Sequence, residues 1–160
     1  MPKRDTAQGH ESMAPPDHAI AMLKVEHRKV RTLFRQYDET TDQDKQQRIA
    51  EEVFAELDLH IQLEDTVFYP AFADVEGDEG ERLAGGARQE HQLFKDLMAE
   101  LRQIDDEMFP VRFHELRHHV ELHMDEEEHE IFSQAAEHLT EKMAQMTDAM
   151  QKLKHRREAA

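Results

Sequence analysis

One motif occurs twice in the chain. His60-Ile-Gln-Leu-Glu64 and His123-Met-Asp-Glu-Glu127 share the spacing His-x-x-x-Glu, 63 residues apart, and an apolar run follows each. Residues four apart on an α-helix stack on one face, so each pair offers an imidazole nitrogen and a carboxylate to one point. The repeat extends upstream, where Glu26-His27 through Phe34 resembles Glu90-His91 through Met98, 64 residues on. Two helical hairpins, each with one lone histidine and one His-x-x-x-Glu, predict an all-α four-helix bundle with approximate two-fold symmetry. The axis relates His27 to His91, His60 to His123 and Glu64 to Glu127.

The segments between these residues have the matching period. Ile20, Leu23, His27, Val30, Phe34 and Tyr37 step by three and four, the pattern of a helix buried along one face. Asp17 is placed to cap it. A second helix, from about 44 to 73, carries Ile49, Val53, Leu57, His60, Glu64, Phe68 and Ala71 in its seam. A turn over 74–80 leads to a third, with Leu83, Ala87, His91, Phe94, Met98 and Leu101, whose Gly85-Gly86 predicts weakened or bent first turns. Asp105-Asp106 and Pro110 mark the start of a fourth, with Phe109, Phe113, Leu116, Val120, His123, Glu127 and Ile131. Leu139, Met143, Met146, Met150 and Leu153 make an amphipathic C-terminal helix, which either continues the fourth or breaks near Ser133-Gln134. Its methionine stripe packs on the bundle or, alternatively, joins a second copy in a coiled-coil dimer. The predicted organisation is a mobile polar leader over 1–16, the bundle over 17–138 and the C-terminal helix over 139–160.

Composition narrows the function classes. A chain of 160 residues fits one domain. The formal net charge of -16 argues against nucleic acid or an anionic membrane as partner. With no cysteine, disulfides, thiol catalysis, Fe–S clusters and thiolate zinc sites are excluded. Met1-Pro-Lys-Arg-Asp lacks the apolar run of a signal peptide, and no stretch reaches membrane-spanning length, which predicts a soluble cytoplasmic protein.

Four histidines and two glutamates in apolar seams need an explanation. A lone histidine in a seam is ordinarily a hydrogen-bonded core residue, and a single His-x-x-x-Glu is common on helix surfaces. Six such groups repeated in one order are different, because buried carboxylates without partners either cost several kcal/mol or become neutral. Two cations remove the objection: His27, His60, His91 and His123 become terminal ligands, and Glu64 and Glu127 bridge. Oxygen and nitrogen donors without sulfur suit iron, with manganese or zinc as substitutes. Glu56, His119 and Glu128 are candidate additional ligands or hydrogen-bonding supports behind the ligands. Tyr37 and Tyr69 end apolar seams and read as packing residues, although a tyrosine beside a metal can tune redox chemistry. A ferritin-like centre is excluded by spacing, since that motif is Glu-x-x-His.

These residues resemble the hemerythrin-like family with its His-His-Glu cation-binding domain. The resemblance spans about residues 17 to 150 and rests on Asp17 through His27, His60-x-x-x-Glu64-Asp-x-x-Phe-Tyr-Pro70, Glu90-His91 and His119-x-x-x-His123-x-x-x-Glu127-Glu-x-x-Ile-Phe132. It implies an up-down-up-down bundle and a non-haem di-iron centre with an oxo or hydroxo bridge. Oxygen-carrying members have a fifth histidine one turn from His91, where this chain has Ala87 and Lys95. The resemblance is therefore closer to members that sense iron or oxygen, or consume peroxide. The expected function is a di-iron protein that binds or responds to iron, dioxygen, peroxide or another small diatomic ligand. The alternatives are a peroxidase- or catalase-like enzyme, for which no dedicated acid–base group is evident, and a helical scaffold that binds nothing or only structural zinc. The expected assembly is a monomer, or a dimer through the C-terminal helix.

Overall fold

The computed structural model describes residues 18–159. The leader expected over 1–16 and the Asp17 cap lie outside the described residues. His18 caps the first helix, with Nδ1 accepting from the Ala21 N–H at 3.2 Å. The helices are α1 (Ala19–Glu39), α2 (Gln43–Leu63), α3 (Tyr69–Leu101), α4 (Phe109–Glu126), α5 (Phe132–His138) and α6 (Met143–Ala159). There is no strand among the described residues, and no helix is long and apolar enough to cross a membrane. Asp42 starts α2 by accepting from the Asp44 and Lys45 N–H groups at 2.9 and 3.2 Å. That satisfies two of the donors a helix start leaves free. Helix α3 is two helices joined across a kink at Gly77, so its first part extends α2 and its second part pairs with α4. The α1–α2 and α3–α4 pairs thus form the two hairpins of an all-α four-helix bundle.

Two π-helical turns, Glu64–Phe68 and Glu127–Ile131, carry α2 into α3 and α4 into α5. In each, an N–H bonds the carbonyl five residues back: Tyr69 to Glu64 and Phe132 to Glu127. Five residues of ordinary α-helix would turn Tyr69 about 140° away from Glu64. The widened turn brings it back inward, so Tyr69 is fully buried. This corrects the expected seam. Beyond Glu64 the buried positions are Phe68, Tyr69 and Phe72, while Ala71 is only half-buried; beyond Glu127 they are Ile131, Phe132 and Ala135.

Three further features bear on the expected elements. The turn expected over 74–80 shrinks to Gly77, at φ 70 and ψ -140, the one non-helical position within α3. Gly85-Gly86 does not bend the helix, because it keeps helical dihedrals. The fourth helix runs on through Ser133-Gln134 and ends at His138, with Leu139 at φ -105 and ψ 20, before the C-terminal helix begins at Met143. Substituting Gly77→Ala would force a β-carbon into a backbone region that glycine alone enters freely, and is expected to cost about 1–3 kcal/mol. Urea unfolding at constant slope would show it as a lower midpoint.

The core divides into two apolar clusters. One contains Leu23, Phe68, Phe72, Phe132 and Leu139; the other contains Phe34, Phe54, Phe113, Leu116 and Met124. Helix α6 packs on α1 and α2, burying Met146, Met150 and Leu153 in the first cluster, and Thr147 Oγ1 accepts from the Ala19 N–H at 2.8 Å. The stripe is thus covered by its own chain. Between the clusters lies a buried polar layer.

Candidate metal centre

That layer consists of the six residues singled out by the repeat. His27, His60, Glu64, His91, His123 and Glu127 are all buried, with His123 the most exposed at 5%. They form two groups that share both carboxylates: His27, His60, Glu64 and Glu127; and Glu64, His91, His123 and Glu127, each with donor atoms within 4.8 Å of one another. Glu64 spans the halves, with Oε2 2.9 Å from His60 Nε2 and Oε1 3.0 Å from His91 Nε2. Glu127 does the same, with Oε1 3.1 Å from His27 Nε2 and Oε2 3.2 Å from His123 Nε2.

Each imidazole turns Nε2 inward and is held from behind through Nδ1. His60 Nδ1 pairs with Glu26 at 2.9 Å, His91 with Asp65 at 2.8 Å, His27 with Glu128 at 2.7 Å, and His123 with Glu90. A carboxylate that accepts from Nδ1–H leaves the Nε2 lone pair free, the tautomer a metal requires. The pairing keeps the two-fold symmetry. The residue before each lone histidine reaches the other helix of its own hairpin, and the residue after each bridging glutamate reaches across to the other hairpin.

Charge balance without a cation is poor. Six carboxylates surround four imidazoles, and both Glu64 oxygens, Glu127 Oε1, His91 Nε2 and His123 Nε2 make no hydrogen bond although buried. His27 Nε2 and His60 Nε2 lie 3.1 Å apart, too close for two bare lone pairs. Without metal, protons must fill the gap. Burial alone would lower the histidine pKa values. For His60 the charge of Glu64 and the bond to Glu26 outweigh it, and for His123 the charge of Glu127 and the bond to Glu90 do, raising both well above 6.5. His91 is raised too, by the bond to Asp65 and the nearby charge of Glu64. Glu64 is held well below 4.5, since His60, His123 and His91 outweigh the burial that would raise it. Divalent ions replace these protons with fixed charge, and the unbonded donors fit them.

The hemerythrin HHE cation-binding domain matches residues 18–135. The chain belongs to this hemerythrin family. An uncharacterized hemerythrin-like protein of Schizosaccharomyces pombe is 30% identical over 118 residues, 72% of this chain and 58% of that protein. The chain thus aligns with little more than half the length of that relative. No solved structure matches it. Family and geometry agree on a metal-binding helical protein.

The remaining candidates separate in the hemerythrin-like bundle. Glu128 stands behind His27 and is bonded by Arg31 Nη1 at 3.0 Å. Glu56 is away from the centre and pairs with Lys29 at 2.8 Å. His119 is half-buried beside His118, with ring centroids 5.7 Å apart, and belongs to neither donor group. Sequence reasoning missed Glu26, Asp65 and Glu90. They are signalled all the same, because a carboxylate adjoins His27, Glu64, His91 and Glu127 alike in both repeats. Tyr69, expected to pack at the end of its seam or to tune a metal, donates its hydroxyl to Glu127 Oε2 at 2.6 Å. Burial first, then the charges of Glu127 and Glu64, push its pKa well above 10, so it stays a protonated donor.

Proposed function

We propose that this chain is a non-haem di-iron protein that binds or responds to iron, dioxygen or reactive oxygen species. His27 and His60 serve one ion, His91 and His123 the other, and Glu64 and Glu127 bridge the pair. The observation that carries this reading is the sharing of both carboxylates by two otherwise separate histidine pairs, an arrangement suited to two ions held close together. Iron supplies one-electron chemistry and open coordination positions for a small ligand. The protein's own residues hold the donors, and the aromatic packing of Phe132 on His27, at a centroid distance of 5.4 Å, limits water on that side.

Peroxide consumption is a second reading, favoured by the buried Tyr69 hydroxyl, which can hold or pass a proton at Glu127 Oε2. Elemental analysis of protein purified without added metal tests the main reading, with two irons per chain expected. Absence of iron even after anaerobic ferrous loading would sink it, and zinc alone would favour a structural role. Peroxide loss at catalytic protein concentration decides the second reading.

A further inference from the structure

The two halves of the centre are related by the repeat but are not alike. One turn before His27 the first hairpin has Met22 and Leu23, both buried; one turn before His91 the second has Gly86 and Ala87. The bulk that fills the first half is missing from the second. A cleft of about 160 Å³ takes its place, and Tyr69, Ala87, His123 and Glu127 are part of its wall. The carboxylates behind the histidines show the same difference. The side chain of Glu26, behind His60, is 4% exposed, whereas that of Glu90, behind His123, is 46% exposed.

Helix α6 completes the asymmetry, because it has no counterpart on the second hairpin. It buries Met150 against α1, and Lys154 Nζ lies 3.4 Å from Glu26 Oε2. The other repeat difference points the same way. Phe132 stacks on His27, while its equivalent Tyr69 directs a hydroxyl to Glu127 Oε2, the oxygen that faces His123. One half is sealed by apolar side chains and a helix. The other has a small opening and a hydrogen-bond donor.

We propose that small exogenous ligands enter through the Ala87 cleft and bind only at the His91–His123 position, and that the cleft selects for neutral ones. The selection follows from its charge. Glu90, Glu126 and Glu130 line it against Arg82, which is itself paired with Glu79, so an anion meets net negative charge on the way in. The volume leaves ample room for a diatomic or triatomic molecule to reach His123 and Glu127. Tyr69 is a positioning residue here, since it acts through Glu127 and can turn its donor toward the arriving ligand.

This inference rests on the di-iron reading, and the test separates the two. Iron-loaded ferrous protein is titrated anaerobically with nitric oxide, read by visible absorption and stopped flow, with iron counted on the same samples. One nitric oxide per two irons is expected in the unaltered chain. Ala87→Leu, which gives the second half the residue of the first, should keep two irons and slow nitric oxide binding by about ten-fold or more, equivalent to about 1.4 kcal/mol added to the entry barrier. Gly86→Leu is the second variant, because a β-carbon there meets nothing within 4 Å and the side chain narrows the mouth without disturbing the core. Two nitric oxides binding at equal rates, or unchanged rates in both iron-loaded variants, would overturn the proposal. Failure of the unaltered protein to load iron would instead overturn the di-iron reading.

Discussion

Chelated, metal-free protein is expected to melt about 10–30 °C below the loaded form. An ion present at 100 to 1,000 times its dissociation constant contributes about 2.7–4.1 kcal/mol to the folded state. Two ions double that, and 1 kcal/mol moves the melting temperature of a domain of this size by about 2–4 °C. The buried carboxylates give the physical reason. Without cations, Glu64 and Glu127 are balanced only by protons on the histidines. Those protons also set the pH dependence of the metal-free form. His60, His91 and His123 have raised folded pKa values, so their stabilisation is complete below 6.5 and is lost as pH rises through those values. Glu64 has a depressed value, so its contribution is present above 4.5 and is lost as pH falls. The metal-free melting temperature should therefore peak between about pH 4.5 and 6.5. The gap to the loaded form widens at alkaline pH, where protons stop competing with metal. Calorimetry across pH, with and without chelator, measures both effects. Coincident melts would instead identify a scaffold that does not depend on metal.

Substituting Glu64→Ala is expected to lower iron from two per chain to one or none. Glu64 belongs to both donor groups, 2.9 Å from His60 Nε2 and 3.0 Å from His91 Nε2. On the proposed reading its removal takes one ligand from each position and the bridge between them. The apolar clusters above and below the layer are untouched, so far-ultraviolet circular dichroism should report an intact bundle. Glu56→Ala is the matched control, because Glu56 pairs with Lys29 outside the centre, and it should keep both irons. Full retention of iron by Glu64→Ala would remove Glu64 from the ligand set.

These expectations rest on features that were unequally legible in the sequence. The helical period of Ile20, Leu23, Val30 and Phe34 and the recurrence of His-x-x-x-Glu are local properties, since 3.6 residues per turn decides which side chains share a face. That was enough to place the six inward residues on four helices. Locality also explains the errors. Gly85-Gly86 looked like a bend because glycine permits one, but permission is not strain, and the break falls at Gly77, where the chain must reverse. The π turns after Glu64 and Glu127 have no compositional signal, so the seam was carried on to Ala71 when Phe72 is the residue turned inward. The C-terminal stripe showed an apolar face without showing what covers it.

The helices, the internal symmetry and the inward histidines and glutamates are legible in the residues alone, because each follows from spacing along a single helix. Helix packing is what brings Glu26 to His60, Glu128 to His27 and Tyr69 to Glu127. The same packing places α6 over one half of the centre and leaves a cleft beside the other. These contacts join residues 34 to 101 positions apart, and such pairs are set by how helices pack side by side, a distance that periodicity within one helix does not contain.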